Sequence, residues 1–146
     1  MDRGTIASAA ELCRNEFIVL LESDPLRHQA DKADFADAIE EEQARFRVWA
    51  AHIGTFATYH SSLDYRLRES EKVRSLVISQ LEVLRRAEVQ LLKLLQPSKS
   101  QSFHVATGSN NYKILKIFSH CTEMIIQTSL LPLLKARKNQ FQIRNP

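Results

Sequence analysis

Glycine and proline are scarce in this chain, with 3 Gly and 4 Pro among 146 residues. A fold of many short strands depends on tight turns, and tight turns draw on both residue types. Their scarcity argues against a sheet-rich fold and leaves helix as the default. Cysteine is scarce too. Cys13 and Cys121 stand far apart and match neither a metal nor a redox spacing. Small buried hydrophobes is the expectation for both. No apolar run suits a membrane span. The most apolar window, residues 114–134, is interrupted by Lys116, His120, Glu123 and Gln127. The amino-terminal residues lack a signal-peptide core and carry Asp2. The expectation is an intracellular protein, cytoplasmic or nuclear, with reduced thiols.

Motifs of catalysis are missing as well. There is no G-x-G-x-x-G, no P-loop and no G-x-S-x-G. Gly108 in TGSNN is a lone turn glycine. His28, His52, His60, His104 and His120 form no HExxH or Glu-x-x-His pair. Adjacent side chains on a helix diverge by about 100°, so Glu40, Glu41 and Glu42 do not converge on one atom. The reading is a non-enzyme with no catalytic, cofactor-binding or metal-binding residues.

What the chain does have is helical periodicity and a length that suits one domain with an adequate core. Ile6, Ala9, Cys13, Phe17, Leu20 and Leu21 recur at helical spacing and predict a helix over 5–23. Thr5 is its cap, and Ser23-Asp24-Pro25 stops it. The central stretch, 34–57, holds the single Trp and an acid-rich front. Asp31 or Asp34 caps it. Its apolar row is Phe35, Ile39, Phe46, Trp49, Ile53 and Phe56. Glu42 occupies the one slot that breaks the series. A buried unpaired charge is costly, so Glu42 should sit at a groove edge, pair with an arginine such as Arg74 or face a partner subunit. Gly54 loosens the last turn.

Leu63, Tyr65 and Leu67 alternate with charged residues. The pattern fits a strand, a helical turn or an ordered loop, and no partner strand is evident. A third long helix follows over 70–96, with Val73, Leu76, Val77, Leu81, Leu84, Leu91 and Leu95 as its stripe. Near its end it is apolar nearly all round. Pro97 and a serine-rich run then mark a boundary. The expected organisation is a helical bundle over 1–96, a linker over 97–111, a C-terminal helix over 112–138 whose packing the pattern does not set, and a frayed tail over 139–146. Pro132 kinks or ends that last helix. The fold class is therefore all-α, an up-down bundle of three long helices plus a fourth, with antiparallel neighbours. Trp49, Phe46, Ile53, Leu81 and Leu84 should form its core.

Charge is uneven. Residues 1–102 carry 14 Lys and Arg against 16 acids, whereas 103–146 carry 6 against one, Glu123. Basic residues in the second part are thinly spaced, so a plain basic tail is the favoured reading. Arg66, Arg68, Lys72 and Arg74 are interleaved with Asp64, Glu69 and Glu71, which weakens any field for phosphate. Nucleic acid is thus a poor partner, and no small-molecule substrate is inferred.

The runs RFRVWAAHIG, from Arg45 to Gly54, and SLDYRLRES, from Ser62 to Ser70, carry a resemblance. Across residues 10–85 the chain resembles the N-terminal helical region of filamentous-fungal multidomain proteins. Those proteins continue into zinc-finger, ankyrin or nucleotide-binding modules. The resemblance implies an interaction or assembly domain. From about residue 97 the chain departs from that pattern. This predicts a truncated or stand-alone version of the domain with a divergent or read-through end. Such an end should pack poorly, whereas a native one should supply the fourth helix. The functional expectation is a non-catalytic helical module for a protein partner or for self-association. Its candidate contact surface is Glu42 with Arg66, Arg68 and Arg74. Two alternatives are a membrane-acting helical domain of cell-death type, working through helix 5–23, and a small enzyme without a recognisable site. The glutamates Glu11, Glu16 and Glu22 on that first helix argue against anionic membranes.

Overall fold

The computed structural model describes residues 4–23, 33–95 and 113–130. Those residues form an all-α bundle, with no strand among them. Helix α1 spans Ile6–Leu21 and α2 spans Ala33–Ile53. A 3-10 turn, Tyr59–Ser61, leads to a single-turn helix α3, Leu63–Arg66. Helix α4 spans Glu71–Leu95, and α5 covers 113–130. The linker expected at 97–111, the kink at Pro132 and the tail at 139–146 lie outside the described residues.

Helix α1 begins where its sequence predicts. The Thr5 hydroxyl accepts from Ser8 N–H at 3.0 Å, satisfying one of the amides that every helix start leaves free. Its buried face is Ile6, Ala10, Cys13, Phe17 and Leu20. Helix α2 buries Phe35, Ile39, Phe46, Trp49 and Ile53, the row set by its spacing. Phe56 is a correction, because the helix ends at Ile53 and Phe56 lies exposed with the Arg14 guanidinium 4.5 Å above its ring. Gly54 takes φ +78°, and Thr55 N–H reaches back to Ala50 C=O at 3.0 Å. This is the six-to-one bond of a Schellman end, which favours glycine at that position. The glycine therefore terminates the helix where the sequence pattern had only loosened it.

Helix α4 buries Val77, Ile78, Leu81, Leu84, Ala87, Glu88, Leu91 and Leu95. Leu76, expected on that stripe, is exposed. It precedes Val77 by one residue and so lies about 100° round the helix from it. The alternating segment is helical over Leu63–Arg66, and Leu63 and the capping Leu67 are buried.

The four long helices alternate in direction. Phe17 meets Phe46 with ring centroids 5.8 Å apart, and Arg14 meets Phe56, so α1 and α2 are antiparallel. Gly4 meets Arg74 and Cys13 meets Leu81, so α1 and α4 run parallel. Arg45 meets Ser119 and Trp49 meets Ser129, so α2 and α5 also run parallel. Up-down order is thus present, but two of the close pairs are parallel. Helix α5 packs into the shared core. Phe118 stands edge-on to Phe17 at 6.0 Å, and Ile114, Cys121 and Ile125 are buried beside it.

One loop ties three helices together. The Asp64 carboxylate accepts from Ile6 N–H at 2.8 Å and Ala7 N–H at 3.1 Å, the free amides at the start of α1. Arg74 donates to Asp64 at 3.2 Å and to Gly4 C=O at 2.9 Å. Arg66 donates to Ile53 C=O, one of the free carbonyls at the end of α2. Replacing Asp64 by Ala removes a cap and leaves Arg74 without its carboxylate. Chemical denaturation should show a loss of about 2–4 kcal/mol. Gly54→Ala places a side chain at positive φ and drives its Cβ into Ser61 C=O. The expected cost is about 2 kcal/mol; an unchanged urea midpoint would show that the turn relaxes freely.

Candidate interaction grooves and a buried carboxyl

Glu42 is the misfit acid of the α2 row. It is 9 % exposed, and its carboxylate accepts twice from Arg45, at 3.2 Å to each oxygen. Arg45 also donates to Ser119 at 3.2 Å and Glu123 at 2.9 Å. The pairing partner is therefore Arg45, one turn on, and not Arg74. An acid in a stripe slot becomes tolerable because an arginine at i+3 folds over it and anchors α5.

The structure does not join Glu42 to the other expected surface residues through any hydrogen bond or ion pair. Arg66 holds the end of α2, and Arg74 holds Asp64. Arg68 lies 3.8 Å from the Tyr65 ring centre and donates to Tyr65 C=O at 2.8 Å. Segment 62–74 thus serves helix ends.

A second stripe acid escaped the sequence reading. The α4 row runs Val77, Leu81, Leu84, Glu88, Leu91 and Leu95, and Glu88 fills the fourth slot. The signal was the same spacing test that picked out Glu42, applied to α4. Glu88 is fully buried, and neither carboxyl oxygen has a hydrogen-bond partner. The Cys13 thiol lies against it but donates to Leu81 C=O at 3.1 Å. Burial, and then the charge of Glu16, push the Glu88 carboxyl up to about 10, partly offset by Cys13 and Arg85. Burial likewise raises both cysteine thiols, and at Cys13 the Glu88 charge adds to it. Both cysteines are buried, unpaired and unsuited to nucleophilic work. Among the described residues no group of His, Cys, Asp and Glu could hold a metal ion.

Elsewhere the buried polar groups on α5 are satisfied. Trp49 Nε1–H donates to Ser129 at 2.8 Å, and the Ser129 hydroxyl donates to Ile125 C=O at 2.6 Å. This relay fixes the indole as one wall of an open groove of about 640 Å³ between α2 and α5. Ala44, Val48, Ile53, Ile126 and Leu130 supply its carbon surface, with Glu41, Arg45, His52 and Arg66 around it. A second groove, of about 760 Å³, runs between α1 and α4. No described helix is long and apolar enough to cross a membrane.

No protein-family model matches this chain, no curated protein matches its sequence, and no solved structure matches it.

Glu88 also generates a pH signature. The unfolded carboxyl ionises above its ordinary value of 4.5, whereas the folded one keeps its proton to about 10. The folded state therefore binds the extra proton, and stability falls as pH rises through that window. Glu88→Leu should remove this slope and stabilise the chain by about 1–3 kcal/mol at neutral pH. Urea denaturation at several pH values checks both points. A slope that persists in Glu88→Leu would assign it to another group, and a less stable variant would show that the carboxyl has a partner.

Proposed function

We propose that this chain is a non-catalytic helical module that binds a protein partner or a second copy of itself. Support comes chiefly from the groove beside Trp49. Val48 is 56 % exposed and Leu130 is 41 % exposed, and both line it with Trp49 and Ile126. Single exposed apolar residues are ordinary on any surface, but a shared apolar groove between two helices has the shape and chemistry of a helix-binding site. Covering it removes carbon surface from water, which favours association. The charges around it are of both signs, which suits a protein surface better than a polyphosphate.

Val48→Glu places a charge on the lining of this groove without touching the core. The expected result is a chain of unchanged helicity and thermal midpoint that loses its bound protein. Wild-type and Val48→Glu chains, each purified from the native cell, would be compared by light scattering and mass spectrometry of the complexes. An identical set of bound proteins and an identical mass for both would show that binding does not use this groove, and a wild-type chain with no bound protein and the mass of a monomer would remove this reading.

A further inference from the structure

The groove between α1 and α4 differs from the Trp49 groove in charge. Its carbon surface comes from Ala9 and Leu12 on α1 and from Ile78, Leu81 and Val89 on α4. Ile78 and Leu81 are buried, while Leu12 stands 43 % exposed. Arg85, Arg86 and Lys93 also line it, and Glu82 is the single acid among its lining residues. Among the described residues none of these three cations takes part in an ion pair. Arg85 faces the field of Glu88, but that carboxyl holds its proton across neutral pH and offers no compensating charge. The groove thus combines an apolar floor with an edge that is cationic on balance.

We infer that this groove takes an amphipathic, acidic helix of a partner protein. This assignment rests on the interaction-module reading and names the chemistry of one partner surface. From Ile78 to Lys93 the α4 wall is roughly 22 Å long, enough for about four turns of a docked helix. Arg86 and Lys93 lie seven residues apart, two turns along one face of α4. A helix with acids at i and i+7 presents its carboxylates at the same pitch, while its apolar residues between them meet Leu12 and Val89. A nucleic-acid backbone would use the cations but waste the carbon floor. An unbroken apolar helix would use the floor but leave the three cations facing carbon. Only a ligand with both features uses the whole groove.

The test uses the full chain and a synthetic fluorescent helix of about 14 residues, with Leu on one face and Glu at i, i+4 and i+7. Fluorescence anisotropy should show saturable binding that weakens severalfold between about 50 and about 300 mM salt. Arg86→Ala/Lys93→Ala should bind it roughly three- to tenfold more weakly with unchanged helicity, since both side chains are exposed. Val48→Glu should bind it as wild type does, because Val48 lines the other groove. A peptide with Lys in place of Glu should not bind. Absence of binding to wild type, or equal binding by the double variant, overturns the assignment. So does a dimer that dissociates in the double variant, which would make a second copy the occupant. Selective binding of that chain to anionic over neutral vesicles, lost in the double variant, would give the groove to lipid and equally overturn it. The two readings fail separately. A native partner lost by Val48→Glu but kept by the double variant leaves the module reading standing while this groove assignment falls. A wild-type chain that holds neither a partner protein nor a second copy of itself removes the module reading.

Discussion

The Asp64 carboxylate is the contact on which the arrangement of helices depends. It sits on a single turn of helix and reaches the free amides of α1, 58 residues earlier in the chain. The positive end of a helix and a carboxylate attract each other, and here the attraction crosses the fold. Arg74, at the start of α4, holds the same carboxylate and also Gly4 C=O. Helices α1 and α4 therefore start at one point and run parallel from it. Their shared face then buries Cys13 against Leu81 and Glu88. Arg66, two residues from Asp64, secures the end of α2 at the same place.

Two helices each place a glutamate in an otherwise apolar row, and the protein treats them in opposite ways. Glu42 stays at the edge of the bundle, where Arg45 neutralises it and ties it to α5. Glu88 lies fully inside without a partner. The difference comes from what stands one turn away. Arg45 follows Glu42 by three residues and can fold back over it. Arg85 precedes Glu88 by three, but its side chain is exposed in the α1/α4 groove. Its field reaches the carboxyl, yet no hydrogen bond does. A protonated acid in the core loses hydrogen bonds that a leucine would not need, so the residue weakens the bundle at the same layer where the α1/α4 groove opens.

The two grooves follow from the helix pairing. Parallel α1 and α4 leave one cleft, and parallel α2 and α5 leave the other. Each exposes carbon along several turns, but their electrostatics differ. The Trp49 cleft is lined by charges of both signs, while the α1/α4 cleft has three cations and one acid. On the proposed reading, two clefts of unlike charge would suit two unlike partner surfaces.

Periodicity was enough to make the all-α class, the limits of α1 and α4 to within a residue or two, and most of the core legible. Phe46, Trp49, Ile53, Leu81 and Leu84 are all buried as their spacing requires. This works because one helix face has a period of 3.6 residues whatever it packs against. Glu42 was legible as a misfit, and Glu88 was equally legible by the same spacing. Their fates were not, since a carboxyl's partners come from other turns and other helices. Phe56 and Leu76 were misplaced for related reasons: Gly54 ends α2 before Phe56, and Leu76 falls one position off the buried stripe. Arg66 and Arg74 read locally as a charged surface, yet three-dimensional folding spends both on helix ends. Helical spacing alone sets which faces are apolar. Which charges hold the helices together and which stay free at the grooves depends on contacts between residues tens of positions apart, and those exist only in the folded chain.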